Sequence, residues 1–202
     1  MSLWRAGQPI VLASRSAPRR AMLEAAGIPL DVCVADLDER AVEAAAGPCS
    51  PVEAAALLAG EKAKAVARAM PHRLVVGADQ TLALGDRRFD KPRDVAAARR
   101  QLMTLGGKTH QLHSAVAVAQ NEELLFAGSD TASLTMRNLS ESFLDSYVDA
   151  AGRAVLDSVG AYQLETLGIH LFERVEGDHF TILGLPLLKL LEFLRRQGSL
   201  LA

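Results

Sequence analysis

The stretch from Ser50 to Asp79 constrains the fold more than any other part of the chain. Ser50-Pro51-Val52-Glu53 joins a capping box to a proline in the first helical turn, which starts a long alanine-rich helix. Pro71 must lie beyond the end of that helix, because proline removes a helical amide and clashes with the preceding turn. Leu74-Val75-Val76-Gly77-Ala78 is then an apolar run of strand length, and it leads straight into Asp79. A long capped helix followed at once by an apolar strand predicts a sheet covered by helices.

The rest of the chain supplies the same kinds of element. Ile10-Val11-Leu12-Ala13 reads as a buried strand, and Ser14-Arg15-Ser16-Ala17-Pro18-Arg19-Arg20 opens a helix that should stop near Gly27. A second strand is expected over residues 31–35. Asp94 can cap a helix running through Leu105 to Gly106-Gly107. Strand-like alternation over residues 112–119 and 124–135 predicts a hairpin, and a further helix is expected over 140–151. A glycine-punctuated loop around Gly160, strands near 169–175 and 180–183, and a last helix over 186–197 complete the pattern. That helix ends in Arg195-Arg196, which suits the negative end of its dipole. With no internal repeat, charge block or low-complexity linker, residues 1–202 are read as a single α/β domain with a mixed sheet.

Composition narrows the partners. Half the residues are hydrophobic and 23% are charged, so the chain is not wholly disordered. Acidic and basic residues number 24 and 22, and only nine side chains are Phe, Trp or Tyr. That balance excludes a broad nucleic-acid surface, and any bound phosphate should be small and local. Cys33 and Cys49 make no disulfide framework, so reduced thiols and a cytoplasmic location are expected. The first nine residues lack the pattern of a signal peptide, and no stretch approaches the ~20 apolar residues of a membrane span.

Several residues could carry chemistry. Ligands of open α/β sheets gather at the carboxyl ends of strands, which brings Ser14, Ser16 and Arg19 together with Asp79 as candidates. Ser14, Ser16 and the helix amides suit phosphate oxygens, with Arg19 as a further donor, although these serines serve equally well as helix caps. Asp79 is either a cap or a metal ligand and general base on a rigid strand. Lys91-Pro92 can return a cation towards the same end of the sheet, and Asp36, Asp38 and Glu39 cluster after the second strand. Lys62, within Glu61-Lys62-Ala63-Lys64, has a solvated helical face as its ordinary reading.

Other motifs fail on inspection. Gly106-Gly107-Lys108-Thr109 imitates a P-loop ending, but Leu102 replaces the first glycine and the segment follows a helix. His110 and His113 have an odd spacing that puts them on opposite faces of a strand, against a shared metal. Asp36-Leu37-Asp38 resembles the D-x-D of haloacid-dehalogenase-like phosphatases, but Arg40 stands where Thr or Val is expected.

Taken in order, Leu12-Ala13-Ser14-Arg15-Ser16-Ala17-Pro18-Arg19-Arg20, Glu61-Lys62-Ala63, Val76-Gly77-Ala78-Asp79, Lys91-Pro92, Gly160-Ala161-Tyr162 and Gly184-Leu185-Pro186 resemble the Maf-like nucleoside triphosphate pyrophosphatases. The resemblance spans residues 10–194. It implies an elongated mixed sheet flanked by helices with an active-site cleft, like that of the ITPases. It also implies a cytoplasmic house-cleaning enzyme, often a homodimer, that converts a nucleoside triphosphate to monophosphate and pyrophosphate with Mg²⁺ or Mn²⁺. Asp79 matches the family's proton acceptor and, with Glu39, faces the metal. Ser14, Arg19, Lys62 and Lys91 match its phosphate-binding residues. Pro18, Gln80 and Glu165 fall at its specificity positions. Gln80 and Glu165 lean towards the branch acting on 7-methyl-GTP, although that branch has an aromatic at the Pro18 position. The branch acting on dTTP, UTP or CTP, and a nucleotide-binding role in cell division, are the alternatives.

Overall fold

The computed structural model describes residues 3–202, so the first two residues of the expected 1–202 span lie outside it. Seven strands form one mixed sheet: β1 (Ile10–Leu12), β2 (Leu30–Val32), β3 (Val75–Leu84), β4 (Arg87–Phe89), β5 (Thr109–Gln120), β6 (Glu123–Met136) and β7 (Phe172–Glu176). The order is β2-β1-β3-β5-β6-β7, with β4 also paired to β3. β1 is parallel to both β2 and β3, and the remaining pairings are antiparallel.

Among the described residues, seven helices surround it. α1 (Ala17–Ala25) and α2 (Glu39–Ala46) flank β2, and α3 (Pro51–Ala69) precedes β3. α4 (Val95–Leu105), α5 (Glu141–Ala151), α6 (His179–Ile182) and α7 (Leu187–Arg196) follow, with three short 3-10 turns between α5 and β7. The caps explain most of the boundaries. Ser50 and Glu53 form the reciprocal capping box of α3, Asp94 caps α4 and Ser140 caps α5. Asn121 and Glu122 both have positive φ, which is the two-residue turn that matches strand twist between β5 and β6.

Side chains on the two faces of β3 divide the core. Val75 packs with the small residues of α3, among them Ala55, Ala59, Ala63 and Ala67. Val76 and Ala78 face the other way, towards Met22 and Leu23 of α1 and Leu187, Leu190 and Leu194 of α7. Farther along, Leu82 joins a cluster built on α4, α5 and the 3-10 turns. Because α1 and α3 cover opposite faces, β1 and β3 border a topological switch point, the place where an open α/β sheet admits a ligand.

Three expectations needed correction. Residues 180–183 are not a strand: Asp178 Oδ2 accepts the Thr181 amide and starts α6 there. The strand expected near 169–175 begins only at Phe172, after a 3-10 turn over Leu167–Leu171. The second strand ends at Val32, short of residue 35.

His110 and His113 do face opposite sides. His113 Nδ1 lies 2.9 Å from Thr131 Oγ1, while His110 is wholly buried beside Tyr162 and Phe172, with Nε2 2.7 Å from the Tyr162 hydroxyl. His110 Nδ1 has no partner, and burial pushes the ring's pKa from 6.5 down to about 4. A depressed folded value means that the neutral ring stabilises the fold fully above pH 6.5 and that this contribution is lost as pH falls towards 4. Denaturant titrations across that window should show a loss on the order of 3 kcal/mol assignable to His110. A His110→Gln variant should show a flatter profile there, and an unchanged slope would contradict the assignment.

Candidate active site

β3 carries different partners along one edge. β1 pairs with Val75 and Val76, and β4 pairs with Leu82, Ala83 and Leu84, while β5 runs the whole length of the opposite edge. The edge between Gly77 and Thr81 is therefore open. β1 runs parallel to β3 and β4 antiparallel, so the chain leaves both strands towards this gap. Ser14 follows β1 into it. The β3–β4 register, with Leu82 opposite Phe89, carries Lys91 back towards the level of Gln80. Asp79 is in the middle of a ten-residue strand, because β3 continues past it to reach β4.

Asp79, Lys62 and Glu39 form a chain of contacts here. Its Oδ1 accepts a 2.6 Å hydrogen bond from Lys62 Nζ of α3, and the same ammonium lies 2.8 Å from Glu39 Oε1 of α2. Lys62 reaches Asp79 because the alanines of α3 and the missing side chain of Gly77 let helix and strand touch at the backbone. A Cβ on Gly77 would overlap Ala59 O and come within 2.7 Å of Ala63 N. Alternation along β3 then turns Asp79 to the α3 side two residues later.

Arg19 closes the other side. Its Nη1 donates to Ala78 O on the open edge at 2.8 Å and to Ser14 Oγ at 3.3 Å, and its Nε donates to Gly184 O at 2.8 Å. Arg19 thus ties the β1–α1 turn, β3 and the chain after α6 together. Burial lowers the pKa of its guanidinium, while Asp79 and Glu39 pull it upward. Burial raises the Asp79 carboxyl above the ordinary aspartate range, against the opposing pull of Lys62 and Arg19. A raised carboxyl is a better proton acceptor when ionised.

Ser14, Arg15, Leu37, Glu39 and Lys62 are among the residues that line an open cleft of about 120 Å³ beside this cluster. Ser16 is the cap of α1 and accepts the Arg19 amide, and Pro18 has no amide to offer. Anion recognition at this turn therefore falls mainly to side chains. Arg15 is exposed on the cleft.

The remaining expected site residues divide. Lys91 is exposed and makes no ion pair among the described residues. Gln80 points to the opposite face, where its Nε2 donates to Ser114 Oγ, Thr181 O and Ile182 O at 2.9 to 3.1 Å. Ser114 Oγ donates to Thr181 O at 2.7 Å, so Gln80, Ser114 and Arg19 together satisfy the carbonyls at the end of α6. Gln80 is therefore committed to α6 and is not among the residues that line the cleft. Glu165 is exposed and unpaired among the described residues, and Pro18 is half-buried in α1. Asp38 is the cap of α2, which leaves little of a D-x-D site. Gly160-Ala161-Tyr162 belongs to the core around His110. Sequence reasoning missed Ser114, for which no local pattern gives a signal, and, although Ala78 and Gly184 fall within motifs of the family resemblance, it missed that their carbonyls hold Arg19.

Two hard carboxylate oxygens, from Asp79 and Glu39, suit Mg²⁺ or Mn²⁺. Among the described residues they belong to no group of three or more His, Cys, Asp or Glu able to hold a metal. Mg²⁺ is commonly held in this way, by one or two carboxylates with substrate phosphates and water completing its shell. Among the described residues no helix is long and apolar enough to cross a membrane.

Comparison with known proteins identifies the family of the chain. A family described as Maf-like protein matches residues 9–197. The chain is 53% identical over 200 residues to a nucleoside triphosphate pyrophosphatase of Rhodopseudomonas palustris strain BisB18, covering 99% of each. It is 55% identical over 197 residues to one of Bradyrhizobium diazoefficiens, covering 98% of each. A 7-methyl-GTP pyrophosphatase of Brucella abortus is 50% identical over 190 residues, covering 93% of this chain and 96% of that one. Among solved structures, the Staphylococcus aureus Ham1 protein overlaps 64% of this chain and 72% of its own, at a TM-score of 0.40 and 18% identity.

Proposed function

The chain belongs to the Maf-like family and is a nucleoside triphosphate pyrophosphatase, and we propose that it splits the α–β phosphoanhydride of 7-methyl-GTP with Asp79 as general base. The observation that carries the mechanism is the buried Asp79 carboxylate, held on a rigid strand between Lys62 and Arg19 at the open edge of β3.

Water attacks the α phosphorus while the bond to the bridging oxygen breaks, giving the monophosphate and pyrophosphate. Asp79 accepts the proton of that water. Lys62, Lys91 and Arg15 offset the phosphate charge, and Ser14 adds a hydroxyl beside them. Arg19 holds the three elements of the site in place and keeps positive charge near the developing transition state. Glu39 and Asp79 would hold the divalent metal, which when bound neutralises phosphate charge and makes water more acidic. The free thiols of Cys33 and Cys49 fit work in the reducing cytoplasm.

The 7-methyl-GTP assignment is supported by the Brucella relative and by Glu165, whose exposed, unpaired carboxylate suits a cationic methylated base. Gln80 fits as a residue that shapes the pocket through α6, since its amide is committed to backbone carbonyls. A panel of 7-methyl-GTP, GTP, dTTP, UTP and CTP, assayed with Mg²⁺ and with Mn²⁺ for pyrophosphate release, tests the proposal. 7-methyl-GTP should lead in kcat/KM by about tenfold or more, the range a few pocket contacts provide. A lead by dTTP or UTP would overturn the substrate, and release of orthophosphate in place of pyrophosphate would overturn the reaction.

A further inference from the structure

Lys62 occupies the meeting point of the two carboxylates that the preceding reading gives to the metal. Its ammonium has three donors, and two of them are spent at 2.6 and 2.8 Å on Asp79 Oδ1 and Glu39 Oε1. Only 13% of its side chain is exposed, although Glu39 on the cleft side is half-exposed. A divalent ion bound to the same two oxygens, at about 2.1 Å from each, would share the space between them with this ammonium. Like charges at such a separation repel by many times the thermal energy.

Counting charges gives the same answer. The two negative charges of Asp79 and Glu39 are already balanced by Lys62 and Arg19, which Asp79 and Glu39 both influence. A bare dication would leave the cluster with an uncompensated double positive charge. Two carboxylate oxygens also fall well short of the octahedral shell that Mg²⁺ demands, and no third acidic, histidine or cysteine ligand joins them among the described residues. A triphosphate removes both obstacles. It brings close to four negative charges and further oxygen ligands, and its phosphates offer the ammonium a new partner. α2, which carries Glu39, has no buried residue and can adjust to the exchange.

We infer that Lys62 keeps divalent metal out of the Asp79–Glu39 cluster until the metal arrives as a complex with the triphosphate, and then moves from the carboxylates to the phosphates. The inference rests on the metal-facing roles proposed above for Asp79 and Glu39.

Mn²⁺ titrated into the metal-free protein, followed by loss of the free-ion EPR signal, tests it without turnover. Wild type should show no saturable binding at millimolar Mn²⁺, and should retain Mn²⁺ on ultrafiltration, above a protein-free control, once the α,β-methylene analogue of 7-methyl-GTP is present. Lys62→Met should bind Mn²⁺ alone about tenfold or more tightly than wild type, since one nearby positive charge is gone. Lys62→Arg should stay like wild type, and adding E39Q to K62M should abolish the gain. Lys62→Gln replaces K62M if thermal melts show that the methionine variant does not fold. Saturable micromolar Mn²⁺ binding by wild type alone, or no gain in a folded neutral variant, overturns the inference. Failure of every triphosphate to release pyrophosphate would instead sink the functional reading, and the two results are obtained independently.

Discussion

Asp79→Asn should reduce pyrophosphate release by about 10³- to 10⁴-fold, at the upper end of what a positioned general base contributes. The same variant should melt at a higher temperature than wild type. Burial raises the pKa of Asp79 even after the favourable effects of Lys62 and Arg19, so the site as a whole disfavours the charged form. For a carboxyl raised in this way, the stabilising contribution is present below its unfolded value and is lost as pH rises through the folded one. At neutral pH the ionised group therefore costs stability, and asparagine removes that cost with nearly the same shape. Lys62 still keeps Glu39 as a partner at 2.8 Å. Melting of the metal-free protein and a pyrophosphate assay check the two halves separately. Near-normal turnover would remove Asp79 from the chemistry. A fall of several degrees in Tm would show instead that its carboxylate is a structural brace for Lys62.

The elements that were legible in the sequence are those whose ends are fixed locally. The Ser50–Glu53 box and the Asp94 cap each depend on residues a few positions apart, and each is found where the chain placed it; the helix over 140–151 and the hairpin are found too, bounded by the Ser140 cap and the Asn121–Glu122 turn. Residues 180–183 were misread as a strand because Phe-Thr-Ile-Leu has strand composition. The Asp178 cap starts their helix locally, while Gln80, Ser114 and Arg19 satisfy its terminal carbonyls from about 70 to 165 positions away, partners that no short window of sequence contains. α2 gave only its Asp38 cap as a signal, since it has no buried residue and is otherwise held by the Glu39–Lys62 and Glu43–Arg88 pairs.

The site was legible in a different sense. Family resemblance picked out Asp79, Lys62, Glu39 and Arg19, whereas helical pattern alone made Lys62 a solvated residue. What the sequence could not express is how each of them works. Lys62 is drawn inward because α3 is alanine-rich on the face that meets β3. Arg19 turns out to be anchored to two backbone carbonyls, and Gln80 to two more. The open edge of β3 between β1 and β4 depends on strand pairing, which the apolar run at residues 74–78 does not encode.

Gly77→Ala should be the most damaging single methyl group in this region, costing about 3 kcal/mol or more of stability, at or beyond the usual range for overpacking a tight contact. The added Cβ would overlap Ala59 O and stand 2.7 Å from Ala63 N and 3.0 Å from Ala63 Cβ. These are mostly backbone atoms in the middle of a nineteen-residue helix, so no side-chain rotation can relieve the contact. Gly77 does not have positive φ, which makes the requirement for glycine one of space alone. Relief requires α3 to move off the sheet, and Lys62 lies between Ala59 and Ala63 on that helix. The surviving folded protein should therefore lose the 2.6 Å Lys62–Asp79 hydrogen bond as well. Denaturant midpoints and turnover per folded molecule, measured on the same samples, separate the effects. A purely structural role would lower stability and leave turnover per folded molecule unchanged. If the helix–strand contact sets the site, turnover should fall at least tenfold even below the unfolding transition, because displacement of a charged group by about 1 Å can cost 10²-fold in rate.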